Sequence, residues 1–118
     1  MALNTQGDIR KRLAEYLSPI PVKVNVPSDR PDTFVVVTRL GGRRENKLVD
    51  NPTISIYCHA PTEQKAWELA DKVADFIDRL RFEDGYASIT QEVMYSDVDL
   101  TTRTPRWYMR YSMQTYEN

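Results

Sequence analysis

A single cysteine, Cys58, and a single histidine, His59, set the first limits on this 118-residue chain. One cysteine closes no intrachain disulfide. A zinc site built from cysteine and histidine needs about four ligands, so no metal or cofactor is expected. A Cys58–His59 dyad fails as well. The residues around it read as a strand, and neighbouring strand residues point to opposite faces. Cys58 is expected in the core and His59 on the surface. No stretch approaches about 18 consecutive apolar residues, and the start of the chain has no apolar signal-peptide segment, so neither membrane insertion nor export is expected. Charge of one sign is lacking too. Lys and Arg number 16 and Asp and Glu 17, which argues against a nucleic-acid coat or a polybasic membrane anchor.

What is present is the composition of a folded domain. Hydrophobic residues make up 41% and charged residues 28%, too apolar and too balanced for a disordered chain. The length suits one domain over residues 1–118.

Periodicity divides the chain into seven elements. Residues 7–17 read as a helix, with Ile9, Leu13, Tyr16 and Leu17 on one face and Thr5 available as its cap. Ser18-Pro19 ends it, because the residue before proline avoids the α region. Residues 22–26 alternate as a strand, 27–32 form a turn-rich connector, and 34–40 are the most β-prone stretch. Residues 41–46 are expected to be a flexible polar loop, with brief pairing at 47–49 before Asp50-Asn51-Pro52 interrupts it.

A strand over 53–60 puts Ile54, Ile56 and Cys58 on one face and Ser55, Tyr57 and His59 on the other. Thr62 then caps a helix running to about Arg81, whose apolar face carries Ala66, Leu69, Ala70, Val73, Phe76 or Ile77, and Leu80. Strands are expected at 87–95 and 106–116, joined by a long polar loop over 96–105. In the last strand Trp107, Met109, Tyr111 and Met113 alternate with Arg106, Tyr108, Arg110 and Ser112. The order α-β-β-β-α-β-β specifies an α+β domain, with a mostly antiparallel sheet of four to five strands covered by two helices.

No catalytic constellation emerges, and an enzyme is not expected. The carboxylate pairs Asp29/Asp32, Glu83/Asp84 and Asp97/Asp99 fall in turns or loops, where solvated carboxylates are the rule. Gly41-Gly42-Arg43-Arg44 has neither phosphate-loop spacing nor a following helix.

Three surfaces carry more information. The loop residues Arg43, Arg44, Glu45 and Asn46 sit where scaffolded proteins place binding groups, and they are an interface candidate. Tyr57 and Tyr108 lie on strand faces opposite the core, which suits self-association. Glu68, Asp71, Asp75 and Asp78 form an acidic stripe along the long helix. Such a stripe is either a solvated helix face or a lining that repels DNA. Residues 1–60 hold 9 basic and 6 acidic side chains, whereas residues 61–118 hold 7 basic and 11 acidic. Opposite charge on two regions of one subunit suits head-to-tail association into a ring.

Several motifs follow one another in a telling order: Val24-Asn25-Val26-Pro27-Ser28-Asp29-Arg30-Pro31 after the first helix, Phe34-Val35-Val36-Val37 leading to Arg39-Leu40-Gly41-Gly42, and then Asp50-Asn51-Pro52-Thr53-Ile54-Ser55-Ile56. Cys58-His59-Ala60 precedes a helix bearing Ala66, Ala70 and Ala74, and Thr104-Pro105-Arg106-Trp107-Tyr108 lies near the end. Over residues 7–116 this resembles the tail terminator, or tail completion, proteins of long-tailed bacteriophages and prophages. The resemblance implies a non-enzymatic virion protein, assembled in the host cytoplasm, that forms a homo-oligomeric ring, typically a hexamer. Such a ring caps the head-proximal end of the tail tube, stops its polymerisation and offers a docking face for the head connector. Genome DNA passes through the hole without specific binding. The loop after Gly41-Gly42 matches the family's variable charged loop. Two rival roles fit the same residues, a head–tail connector or stopper subunit and a small cytosolic ligand-binding domain.

Overall fold

In a computed structural model that describes residues 3–117, the chain forms an α+β fold. Helix α1 (Thr5–Leu17) is followed by strands β1 (Val22–Lys23), β2 (Phe34–Arg44) and β3 (Val49–His59). Helix α2 (Glu63–Arg79) runs into a short 3-10 turn (Leu80–Phe82), and strands β4 (Tyr86–Asp99) and β5 (Thr104–Tyr116) complete the order α-β-β-β-α-β-β. The five strands form one sheet in the order β1-β2-β3-β5-β4. Only the β1–β2 pair is parallel.

Both helices pack on one face of this sheet. Ile9, Leu13 and Leu17 of α1 and Leu69, Ala70, Val73 and Ile77 of α2 join Val35, Val37, Ile54, Ile56, Cys58, Met109, Tyr111 and Met113 in a single core. The faces expected for β3 and β5 are therefore those observed. Phe76 is half-buried at the margin of this core and stacks on Tyr16 of α1, with ring centroids 4.8 Å apart. Thr62 caps α2, its hydroxyl accepting from the Lys65 N–H at 3.1 Å. The cap of α1 differs from expectation. Asn4 accepts from the Gly7 N–H at 3.2 Å, while Thr5 is buried with its hydroxyl 2.9 Å from that of Thr115. A long-range contact has claimed the threonine, and the preceding asparagine takes its place as cap.

Three boundaries differ from the sequence expectation. β1 is two residues long, because the chain leaves the sheet after Lys23. The residues expected as a loop after Leu40 are instead strand. Gly41 pairs with Thr53, Gly42 with Pro52, Arg43 with Asn51 and Arg44 with Asp50, so β2 and β3 run as one hairpin with its turn at residues 45–48. Asn46 closes that turn, its side-chain oxygen accepting from the N–H groups of Leu48 (2.8 Å) and Val49 (3.0 Å). Asp50, expected to help break the strand, is buried in it and held by the Arg39 guanidinium at 2.9 Å. Likewise the expected loop over 96–105 is mostly strand, with β4 and β5 paired out to Asp99 and Thr104. Arg106 reaches Asp97 at 2.9 Å across this pair.

Gly42 is required where it stands. Its φ is +95°, and a Cβ there would lie 2.1 Å from the Asn51 carbonyl oxygen. Gly42→Ala should destabilise the protein by about 1–3 kcal/mol, with hydrogen exchange rising first in residues 41–53. Leu69→Ala, which empties a buried site between α2 and the sheet, should cost about 2–5 kcal/mol in denaturant unfolding.

Candidate functional site

Strand alternation leaves a second sheet face that no described helix covers, and the register arranges it in rows. Val36, Tyr57, Tyr108 and Tyr95 stand side by side across β2, β3, β5 and β4. The Tyr57 and Tyr108 rings lie 4.8 Å apart and the Tyr108 and Tyr95 rings 5.3 Å apart, all tilted, which is a favourable aromatic geometry. Tyr108 is buried by its neighbours, Tyr57 is half-buried, and Tyr95 remains 48% exposed. The structure thus brings together the two tyrosines singled out from the sequence and adds a third. Sequence alternation missed Tyr95 because β4 carries register shifts between Tyr86 and Ser88 and between Gln91 and Val93, and each bulge resets the phase.

The neighbouring row is Phe34, His59, Arg106 and Asp97. His59 is only 2% exposed, contrary to its expected surface position. It stacks on Phe34, with ring centroids 4.2 Å apart and planes 12° from parallel. The connector before β2 folds over this end of the sheet. Its Arg30 sits over the Phe34 ring and bonds Asp99 beside the β4–β5 turn. Arg106 lies over the Tyr57 ring, 4.5 Å from its centroid, and pairs with Asp97. Asp97 and Asp99 are therefore charge partners of arginines. Burial raises the Asp99 carboxyl, but the Thr101 N–H and then Arg30 and Arg106 outweigh it and hold the group below its usual range. Burial raises the Tyr57 hydroxyl, and Arg106 offsets part of that rise. Cys58 points into the helix-covered core, where burial pushes its thiol up and keeps it protonated. Cys58 and His59 face opposite sides of the sheet, as strand geometry requires. Among the described residues no cluster of three or more His, Cys, Asp or Glu could hold a metal ion.

The other two candidate surfaces lie elsewhere. Arg43 and Arg44 belong to the exposed end of β2, and Glu45 and Asn46 to the adjoining turn. They project from a paired hairpin and not from a flexible loop. Glu68, Asp71, Asp75 and Asp78 are all exposed on α2. Glu68 accepts from Gln64 at 3.1 Å, and Asp78 pairs with Arg81. The stripe and the tyrosine row occupy opposite sides of the sheet. Chemically, these surfaces offer aromatic packing on one face and charge complementarity on the other.

His59 gives the fold a pH dependence. Burial first, and then Arg106 and Arg30, lower its pKa from 6.5 to about 4. Its buried Nδ1 has no hydrogen-bond partner among the described residues. The unfolded chain therefore takes up a proton at a pH where the folded chain does not. The associated stability is full above pH 6.5 and declines as pH falls toward about 4. His59→Phe keeps a ring against Phe34 and removes the titration. The fall in Tm between neutral pH and pH about 5 should be smaller in that variant. An identical fall would place the titration in another group.

Set beside known proteins, the chain matches no protein-family model and no curated protein sequence.

Proposed function

We propose that this chain is a tail terminator of a long-tailed bacteriophage or prophage. Copies assemble into a ring on the head-proximal end of the tail tube, stop its growth and present the surface on which the head connector docks. DNA passes through the hole without specific recognition. The observation that carries this reading is the helix-free sheet face, where half-buried Tyr57 and exposed Tyr95 stand in one row with the buried Val36 and Tyr108. Aromatic rings concentrated in the middle of a face, with arginine–carboxylate pairs on either side, are the composition of a protein contact. The order of elements and the sequence motifs supply the rest, through their resemblance to the tail terminator family.

Deleting the chain from the phage or prophage that encodes it tests the role. The expected outcome is separate full heads and tails of irregular, excessive length, restored to normal virions by supplying the chain in trans. Antibody labelling of virions should mark the junction of head and tail. Normal virions without the chain, or label confined to another part of the particle, would reject the role.

A further inference from the structure

Two exposed features lie on opposite lateral sides of the sheet. On the β4 side, a groove of about 230 Å³ runs between α2 and the sheet, lined by Ala74, Asp75, Asp78, Ile89, Gln91 and Tyr111 along with Arg81. Ile89 and Tyr111 are buried and form an apolar floor, whereas Asp75, Asp78 and Gln91 are exposed at its rim. Gln91 donates to the Tyr111 hydroxyl at 2.9 Å, which fixes one wall. Asp78 has an intramolecular partner in Arg81, but the Asp75 carboxylate meets no cation within ion-pair distance among the described residues.

On the β2 side, the β2–β3 hairpin offers the complementary chemistry. Arg43, Arg44 and Lys47 are exposed at its end, and Leu40 and Leu48 beside them are 56% and 55% exposed. Arg39 spends its charge on Asp50, whereas Arg43 and Arg44 reach no carboxylate among the described residues. The hairpin is thus basic with an apolar shoulder, and the groove is acidic with an apolar floor. The strand order β1-β2-β3-β5-β4 puts β3 and β5 between them, so one subunit cannot seat its hairpin in its own groove.

We infer that the end of the β2–β3 hairpin of one copy docks in the α2–β4 groove of a second copy, with Arg43 and Arg44 facing Asp75 and Asp78. The occupant is the same chain, because the carboxylate that Arg81 leaves without a cation, Asp75, is matched by the two arginines that the hairpin leaves without a carboxylate, Arg43 and Arg44. The contact is heterologous. Every copy donates a hairpin and receives one, so the association continues from copy to copy and closes when the rotation between neighbours permits. This deepens the ring assembly proposed above and rests on it. It also assigns Asp75 and Asp78 to the contact between neighbours, leaving Glu68 and Asp71 as the free part of the stripe.

Sedimentation of the full chain at low ionic strength, followed by charge reversal on each side, tests the contact. The wild-type chain should associate as its concentration rises, and added salt should weaken the association. Arg43→Glu/Arg44→Glu and Asp75→Lys/Asp78→Lys should each raise the dissociation constant by about tenfold or more, with unfolding midpoints near that of the wild type. Mixing the two variants should restore association, because each reversed surface then meets its opposite. The chain carrying all four changes should associate on its own. A wild-type chain that stays monomeric at millimolar concentration overturns the contact. So does association insensitive to both reversals, or a mixture that fails to recover. A circular dichroism spectrum unlike the wild type's disqualifies a variant, and Asp75→Asn/Asp78→Asn then serves in its place, with the same weakening expected. Association through another surface leaves the tail-end role standing while removing this contact. Rescue by mixing, combined with normal virions in the deletion strain, does the opposite.

Discussion

The pairing of β3 with β5 is the constraint on which the other features depend. These strands are far apart in sequence and sit at the centre of the sheet, with Val49 opposite Tyr116 at one end and His59 opposite Arg106 at the other. This register places Ile54, Ile56 and Cys58 opposite Tyr111, Met109 and Trp107, which builds the floor on which both helices rest. The same register places Tyr57 opposite Tyr108 on the reverse side. A slip by one residue would bring the tyrosines under the helices and expose the core set. Core and candidate contact surface are two consequences of one alignment.

How much of this was legible in the sequence depends on which residues lie beneath the helices. Where one face of a strand is covered, apolar and polar residues must alternate, and the alternation of residues 53–60 and 106–116 gave their faces correctly. Helix α2 was equally plain, since its buried Ala66, Leu69, Ala70, Val73 and Ile77 repeat at threes and fours. Residues 41–44 and 96–99 are strand all the same, but they extend toward the ends of the sheet and are mostly exposed. With solvent on both sides no alternation is demanded, so these stretches read as loop. The bulges in β4 erased the pattern by a second route, shifting its phase in mid-strand.

His59 shows a different kind of failure. Strand alternation puts it on the far side of β3, yet at this position that side is not solvent. The connector carrying Arg30 closes over it, and a connector's path is set by long-range contacts such as Arg30 with Asp99. Local pattern contains no record of such a path. The candidate surfaces divide along the same line. Tyr57 and Tyr108 were recoverable from alternation alone. The groove beside α2 required knowing that β4 lies next to β5, beyond the helix, and that Ile89 and Tyr111 meet there.

The outer end of the β2–β3 hairpin has almost no core of its own. Its outer residues 42–48 are exposed, and it is held in the sheet by β5 on one side, by Asn46 within its turn and by the Arg39–Asp50 pair at its base. Motion in such an arm is energetically separable from the helix-covered interior, because local opening there exposes little apolar area. The arm can tilt or twist to fit a neighbouring surface at small thermodynamic cost, while the platform behind it keeps its shape. Adaptability and rigidity are thereby allotted to different stretches of the same two strands.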